Sequence, residues 1–197
     1  MFFIKFTTKM LHYLASVRNS VWNTFLEDTT VLPVVLASHS LRVGLAGRGE
    51  AMERRRQWLE EAGVSPVPVA LEGDDVLDGL KLLFVAGVPA AQASQLAARA
   101  RKGGVLVNVE DEIALCDFHV PALVRRGDLL ISVSTGGRAP GLARLVREFL
   151  AERFGPEWSA YLDQAGRSRA RWRSEGLAGA DLTRRTRALA EERRWFA

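Results

Sequence analysis

Apolar residues run along this chain in two rhythms, short unbroken stretches and longer segments where they return at helical spacing. Residues 41–46 (LRVGLA), 82–86 (LLFVA), 105–109 (VLVNV) and 129–133 (LLISV) are aliphatic and β-branched runs that predict buried strands. Ala51, Met52, Trp58, Leu59 and Ala62 recur with a helical period, and Gly63 offers a stop. Residues 90–101 predict a second helix, whereas residues 64–71 are β-like but reduced by Pro66 and Pro68 to an edge or irregular strand. The order strand, helix, strand, strand, helix, strand predicts the α/β class with a Rossmann-like parallel sheet. Beyond Asp111 the pattern changes. The strand at 129–133 leads through Ser134-Thr135-Gly136-Gly137 into a helix that Pro140 can open and Gly155-Pro156 ends. The remainder is rich in Ala, Arg and Glu, and its spaced Trp158, Tyr161, Leu162, Trp172, Leu182, Leu189 and Trp195 predict a small helical domain. The expected organisation is therefore an extension at 1–30, a Rossmann-like domain at 31–112, a connecting segment at 113–150 and a helical domain at 151–197.

Composition narrows the class without naming a function. The chain has 197 residues, 48% hydrophobic and 25% charged, enough to bury a core. No apolar run approaches the ~18 residues of a membrane-crossing helix, so no membrane partner is expected. A single cysteine, Cys116, excludes an internal disulfide and fits a reducing, cytoplasmic setting. The first thirty residues are mildly apolar between Lys9 and Arg18 but lack the apolar core and cleavage site of a targeting signal, and no function is assigned to them. The net charge of +4 raises nucleic acid as a partner. Residues 151–197 carry ten Arg against seven acidic residues, an excess that fits a solvated surface, so no nucleic acid is expected.

Three features carry candidate chemistry. Asp111 falls just past the carboxyl end of the strand at 105–109, where open α/β sheets bind ligands. A carboxylate there can accept a proton, and a partly buried cleft would raise its pKa toward neutrality; the structural alternative is a strand or turn cap. Gly47-Arg48-Gly49 lies between a strand and a helix, as in the front of a dinucleotide fingerprint, with Glu72 at the distance where an acid meets a ribose. The turn of Ser134, Gly136 and Gly137, with Arg138 beside it, offers backbone donors to an anion, and equally serves as a plain glycine turn. His12, His39, His119 and Cys116 form no recognised metal-ligand spacing, so no metal site is assigned; packing explains Cys116 and His119.

Asn108, Val109 and Asp111, followed by Cys116, Phe118, Pro121 and Ala122, then residues 134–137, Pro140, residues 142–144, Arg147 and Glu148, form a long ordered set. This set resembles the family of precorrin-2 dehydrogenases and sirohydrochlorin ferrochelatases, the amino-terminal module of siroheme synthase. The likeness extends upstream to Leu32-Pro33 and the glycine turn at Gly47, and weakly to the chain end. It implies a homodimer whose segment 113–150 exchanges contacts between subunits, NAD as cofactor, and oxidation of precorrin-2 to sirohydrochlorin. Insertion of ferrous iron, as a substrate, is implied as a second activity. Asp111 would serve both reactions, Gly47, Arg48, Gly49 and Glu72 would meet the cofactor, and Ser134, Gly136, Gly137, Arg138 and His119 the tetrapyrrole. The chain departs from the family pattern at several points. Arg48 replaces a glycine, Met52 a small residue and Ala139 a serine; residues 87–93 (GVPAAQA) lack an acidic pair; and the region before Leu82 is short. A chelatase that uses no NAD, and a non-catalytic tetrapyrrole-binding protein, are the rival readings.

Overall fold

The computed structural model describes residues 31–73 and 77–196, so the expected extension at 1–30 lies outside the described residues. The chain divides into two compact units that meet in sequence at His119 and Val120.

In the first unit, β1 (Val43–Gly47), β2 (Val67–Pro68), β3 (Leu82–Ala86) and β4 (Leu106–Val109) form one parallel sheet in the order β2-β1-β3-β4. Every residue of β3 is buried, as expected of a central strand covered on both faces. Helix α1 (Gly49–Glu61) packs on β1 and β3 and ends at Ala62, with Gly63 in the left-handed region at φ 75°. Helix α2 (Ala90–Lys102) buries Ala93, Leu96, Ala97 and Ala100, one stripe at helical spacing, in the main core with Leu83, Val85, Val105 and Val107. Leu83 and Leu96 are fully buried, each contributing about 1.5–3 kcal/mol by removal from water.

The edge strand β2 is two residues long rather than the eight of the apolar stretch at 64–71, because Pro66 and Pro68 cannot donate to a ladder. The first strand begins at Val43 and not at residue 41, as Arg42 is exposed and its guanidinium bonds the Asp78 carbonyl at 2.6 Å. Among the described residues no helix joins β2 to β3.

The second unit opens with a strand the hydrophobic pattern does not reveal. β5 (Ala122–Arg126) and β6 (Leu129–Val133) make an antiparallel hairpin, turned at Gly127 with φ 57°. Helix α3 (Pro140–Arg153) packs on both strands, with Pro140 in its first turn. Arg126 donates to the carbonyls of Ala151 and Phe154 at 2.9 and 2.7 Å, a cation capping the negative end of α3. Helices α4 (Trp158–Ser174) and α5 (Gly179–Glu192) pack together, and Trp158, Tyr161, Trp195 and Phe196 form an aromatic cluster beside them. No described helix is long and apolar enough to cross a membrane.

Candidate active site

The topological switch of the first unit lies between β1 and β3, because the chain leaves β1 toward β2 and returns on the other side to β3. Ligands of open α/β sheets bind at the carboxyl ends of strands at such a point. Gly47 pairs with Ala86 there, and Val109 ends β4 one strand further on.

Two turns are locked together at this edge. The Arg48 N–H donates to the Ala86 carbonyl at 3.2 Å. A Cβ on Gly47, at φ 143°, would overlap the Ala86 carbonyl oxygen, and one on Gly87, at φ 66°, would overlap the Arg48 carbonyl oxygen. Gly49 differs: its φ is 70°, yet a Cβ would meet nothing within 4 Å. Gly47 and Gly87 are thus explained by protein backbone, whereas the bare face of Gly49 opens onto free space at the start of α1. Arg48 caps that helix in extended conformation, with no side-chain cap bond and an exposed side chain. This fits a pyrophosphate: unhindered backbone, a helix amino end and an adjacent cation. Glu72 is exposed beyond β2.

Asp111 is mounted on a fold-back loop. The Glu112 N–H reaches the Val109 carbonyl at 3.3 Å, closing a turn with Asp111 in third place at φ 63°. Glycine or Asn usually takes such a position, and Asp is tolerated. The carboxylate-bearing residue is exposed and not in the partly buried cleft that the sequence suggested, since the turn carries it clear of the sheet end. The loop after it doubles back along β4. The Asp117 N–H donates to the Val107 carbonyl at 2.7 Å, while its carboxylate accepts from the Val107 N–H at 2.9 Å and from Arg101 at 2.9 Å. Asn108, 7% exposed and the one buried polar residue among those described, donates to the Phe118 carbonyl at 2.9 Å. The Cys116 thiol donates to the Val109 carbonyl at 3.2 Å and accepts from the Val109 N–H at 3.3 Å. Burial pushes this thiol above its ordinary value, opposed by the hydrogen bond to Val109. It is therefore a structural pin and not a nucleophile. His119, half-buried, ends the first unit, and Phe118 before it stacks edge-on to Phe84 at 5.2 Å.

Sequence reasoning missed Arg55. Its guanidinium lies 5.4 Å from the ring centres of both Trp58 and Phe84, and 3.9 Å from the carboxylate of Glu110. Burial pushes it below the ordinary arginine value; Glu110, then Cys116 and Asp111, pull it back. The available signal was its register: Arg55 stands on the apolar face that Ala51, Met52, Trp58 and Leu59 mark out.

Ser134, Gly136, Gly137 and Arg138 belong to the second unit, on the turn between β6 and α3. Several of the turn's donors are bound internally. Gly136 N–H reaches Ser134 Oγ, Arg138 N–H the Thr135 carbonyl, and Ala139 N–H the Thr135 Oγ1, each at 3.2 Å. Gly136 and Gly137 are left-handed, at φ 61° and 78°, and Arg138 is exposed. Among the described residues no three His, Cys, Asp or Glu side chains group as a metal site.

A parallel sheet with a glycine turn at its switch point and an open helix amino end defines a protein of Rossmann-like, dinucleotide-binding architecture. Comparison with known proteins makes this more specific. Residues 34–122 match the family model described as "Putative NAD(P)-binding", and residues 126–153 that described as "Sirohaem biosynthesis protein central". The siroheme synthase of Pseudomonas entomophila (strain L48) is 36% identical, over 65% of this chain and 32% of that protein. The siroheme synthase of Methylococcus capsulatus (strain ATCC 33009 / NCIMB 11132 / Bath) is 31% identical, over 59% and 29%. The solved structure of SirC, precorrin-2 dehydrogenase, has a similar fold, with a TM-score of 0.62 over 78% of this chain and 86% of that one at 19% identity. The chain is similar to siroheme synthases along the segments these matches cover, and spans about a third of the length of the curated relatives it matches.

Proposed function

We propose that the chain is an enzyme of siroheme biosynthesis that oxidises precorrin-2 to sirohydrochlorin with NAD, and that it also inserts ferrous iron, a substrate of the second reaction, to give siroheme. The observation that carries this reading is the exposed Asp111 at the edge of the sheet that also bears the open Gly49 turn. The two sites stand on strands two places apart, roughly 10 Å by sheet spacing.

NAD, when bound, supplies the hydride acceptor. The protein's part is to hold and deprotonate. The first amides of α1, with Gly49 bare and Arg48 adjacent, seat the pyrophosphate, and Gly47 keeps the two turns close enough to form the seat. Glu72 is the candidate for the ribose. Asp111 accepts a proton from precorrin-2 as hydride leaves, then the pyrrole N–H protons as iron enters, a role that requires only an accessible carboxylate. Ser134, Gly136, Gly137, Arg138 and His119 are the candidates for the tetrapyrrole's carboxylates and ring edge; the support is the family resemblance of the turn and the exposed cation of Arg138.

A second copy of the chain is the proposed partner. Leu142, Leu145, Val146 and Phe149 form an apolar stripe on α3, with Leu145 64% and Phe149 65% exposed. Sedimentation of the whole chain should give a dimer that Phe149→Glu converts to monomer. A cytoplasmic location is proposed on the lone Cys116.

The second reading, a chelatase that does not use NAD, draws on Arg48 in the glycine turn and the missing unit between β2 and β3. Anaerobic incubation with precorrin-2, with and without NAD and ferrous iron, separates the readings by absorbance. NAD-dependent sirohydrochlorin formation supports the first. Iron insertion into supplied sirohydrochlorin without dehydrogenation supports the second. Binding without either reaction supports a non-catalytic tetrapyrrole-binding protein.

A further inference from the structure

We propose that Arg55 is a positioning residue for Asp111, holding through Glu110 the turn on which the acid-base carboxylate stands. The inference rests on the reading of Asp111 given above.

The ion pairs of Arg54 and Arg56 on α1 are formed within the helix, with Glu50, Glu53 and Glu60, on exposed side chains. Arg55 instead leaves the helix for the other end of the sheet edge. Its side chain is 15% exposed and that of Glu110 23%, so both charges have given up most of their water. At 3.9 Å the pair lacks the short forked geometry that makes arginine bridges strong. Such half-buried pairs commonly do no better for stability than apolar residues of equal volume. A methionine or leucine would cover Trp58 and Phe84 as well. The cation therefore asks for a purpose beyond packing, and its position supplies one.

Glu110 is held at two points. Its N–H donates to the Val85 carbonyl at 2.9 Å, continuing the β3–β4 ladder by one residue, and its carboxylate faces Arg55. Asp111 is the next residue and the first beyond the ladder. It adopts φ 63°, a left-handed conformation that side chains other than Asn and Asp enter at a cost of about 1–2 kcal/mol. The turn that holds it is closed by one long hydrogen bond, Glu112 N–H to the Val109 carbonyl at 3.3 Å. Downstream, the Cys116 thiol lies 3.4 Å from the Glu112 carbonyl. Upstream, the Glu110 side chain is the handle, and Arg55 grips it. The grip is backed by aromatic packing, because the guanidinium lies against two rings in edge-on contact with each other, one of which, Phe84, belongs to the central strand and is also braced by Phe118. A rigid helix, a buried ring and a charged handle thus fix the residue before the carboxylate.

The test uses the full chain and four variants: Arg55→Gln, Arg55→Lys, Glu110→Gln and Asp111→Asn. Misplacing a reacting group by ~1 Å can cost up to ~10²-fold, so Arg55→Gln should lower kcat for precorrin-2 oxidation about 10- to 100-fold while the KM for NAD stays within about twofold. Arg55→Lys should recover part of the rate, and Glu110→Gln, which leaves Arg55 stacked on its rings, should match Arg55→Gln. Added to Asp111→Asn, the Arg55→Gln change should cause no further loss; an equal loss in both backgrounds overturns the proposal. Amide hydrogen exchange supplies a readout independent of activity. Exchange at Glu112 should quicken in Arg55→Gln and Glu110→Gln while Leu83 and Val85 keep their protection, and unchanged exchange at Glu112 overturns the proposal. Should Arg55→Gln fail to fold, Glu110→Gln decides alone. A parent protein without either reaction defeats the functional reading, and the exchange experiment still decides the clamp.

Discussion

Gly47 and Gly49 belong to one short motif, but the structure separates their duties, and alanine at each position should fail differently. At Gly47 the added Cβ overlaps the Ala86 carbonyl oxygen, and the φ of 143° lies outside the range that side chains accept. Relief requires the ends of β1 and β3 to part, which breaks the 3.2 Å bond from Arg48 N–H to Ala86 O. The lost hydrogen bond costs about 1 kcal/mol, and the forced conformation about 1–3 kcal/mol more. Against a typical domain stability of about 5–15 kcal/mol, a loss of roughly 2–4 kcal/mol is large. With a urea dependence of about 1–3 kcal/mol per molar, the unfolding midpoint should fall by about 1–2 M. At Gly49 the Cβ points into free space, so only the φ of 70° is strained, at about 1–2 kcal/mol. The methyl group then occupies the approach to the first amides of α1, and NAD affinity measured by calorimetry should drop at least tenfold in a protein that still folds. Urea titration of Gly47→Ala with no change in midpoint would refute the backbone explanation of that glycine. Undiminished NAD binding by Gly49→Ala would remove the pyrophosphate from this turn.

Asp111→Asn should keep the fold, since Asn accepts the left-handed turn at least as well as Asp, and should lose ~10²- to 10⁴-fold in rate; full rates in a folded variant would make Asp111 a turn residue only. Arg48→Gly should weaken NAD binding in calorimetry, because the exposed cation stands at the helix end where the pyrophosphate is proposed; unchanged or tighter binding would contradict that placement. Burial raises the Cys116 thiol above its ordinary 9.0, so the folded chain holds that proton more tightly than the unfolded chain. Its contribution to stability is complete below about pH 9 and fades as pH rises through the folded value. The parent protein should accordingly lose more melting temperature between about pH 8 and pH 10 than Cys116→Ala does, and equal losses would show that the thiol does not titrate across folding.

The elements legible in sequence were those that a local signal bounds. The strand at 82–86 and the helix from Pro140 to Arg153 appear with the expected limits, because an aliphatic run fills a central strand and Pro140 and Gly155-Pro156 punctuate the helix. β5 was hidden since only Val124 of its five residues is buried, and Arg125 and Arg126 disguise it as a loop. It exists because β6 pairs with it along its whole length and because Arg126 finds the end of α3. Both are relations between distant or adjacent elements, which periodicity cannot express. The same holds at the sheet edge. Glycine at 47 was visible as a motif, but the partner turn at Gly87 gives it meaning, and that pairing is set by strand register.

The resemblance motif itself has a physical division of labour that sequence could not display. Asn108 and Cys116 turn inward, where they bond the Phe118 carbonyl and both polar groups of Val109, and Asp117 reinforces them from Val107. These residues fold the loop back along the edge of β4, and their bonds are spent on that task. Asp111 stands at the tip of the same loop, exposed, on a left-handed turn braced from the helix side by Arg55 and Glu110. A loop in which Asn108, Cys116 and Asp117 are bound up in holding its shape, and whose left-handed tip presents the Asp111 carboxylate to solvent, is built around that carboxylate. Exposure and placement at the tip of a braced turn, more than membership of the motif, therefore single out Asp111 as the group to test first.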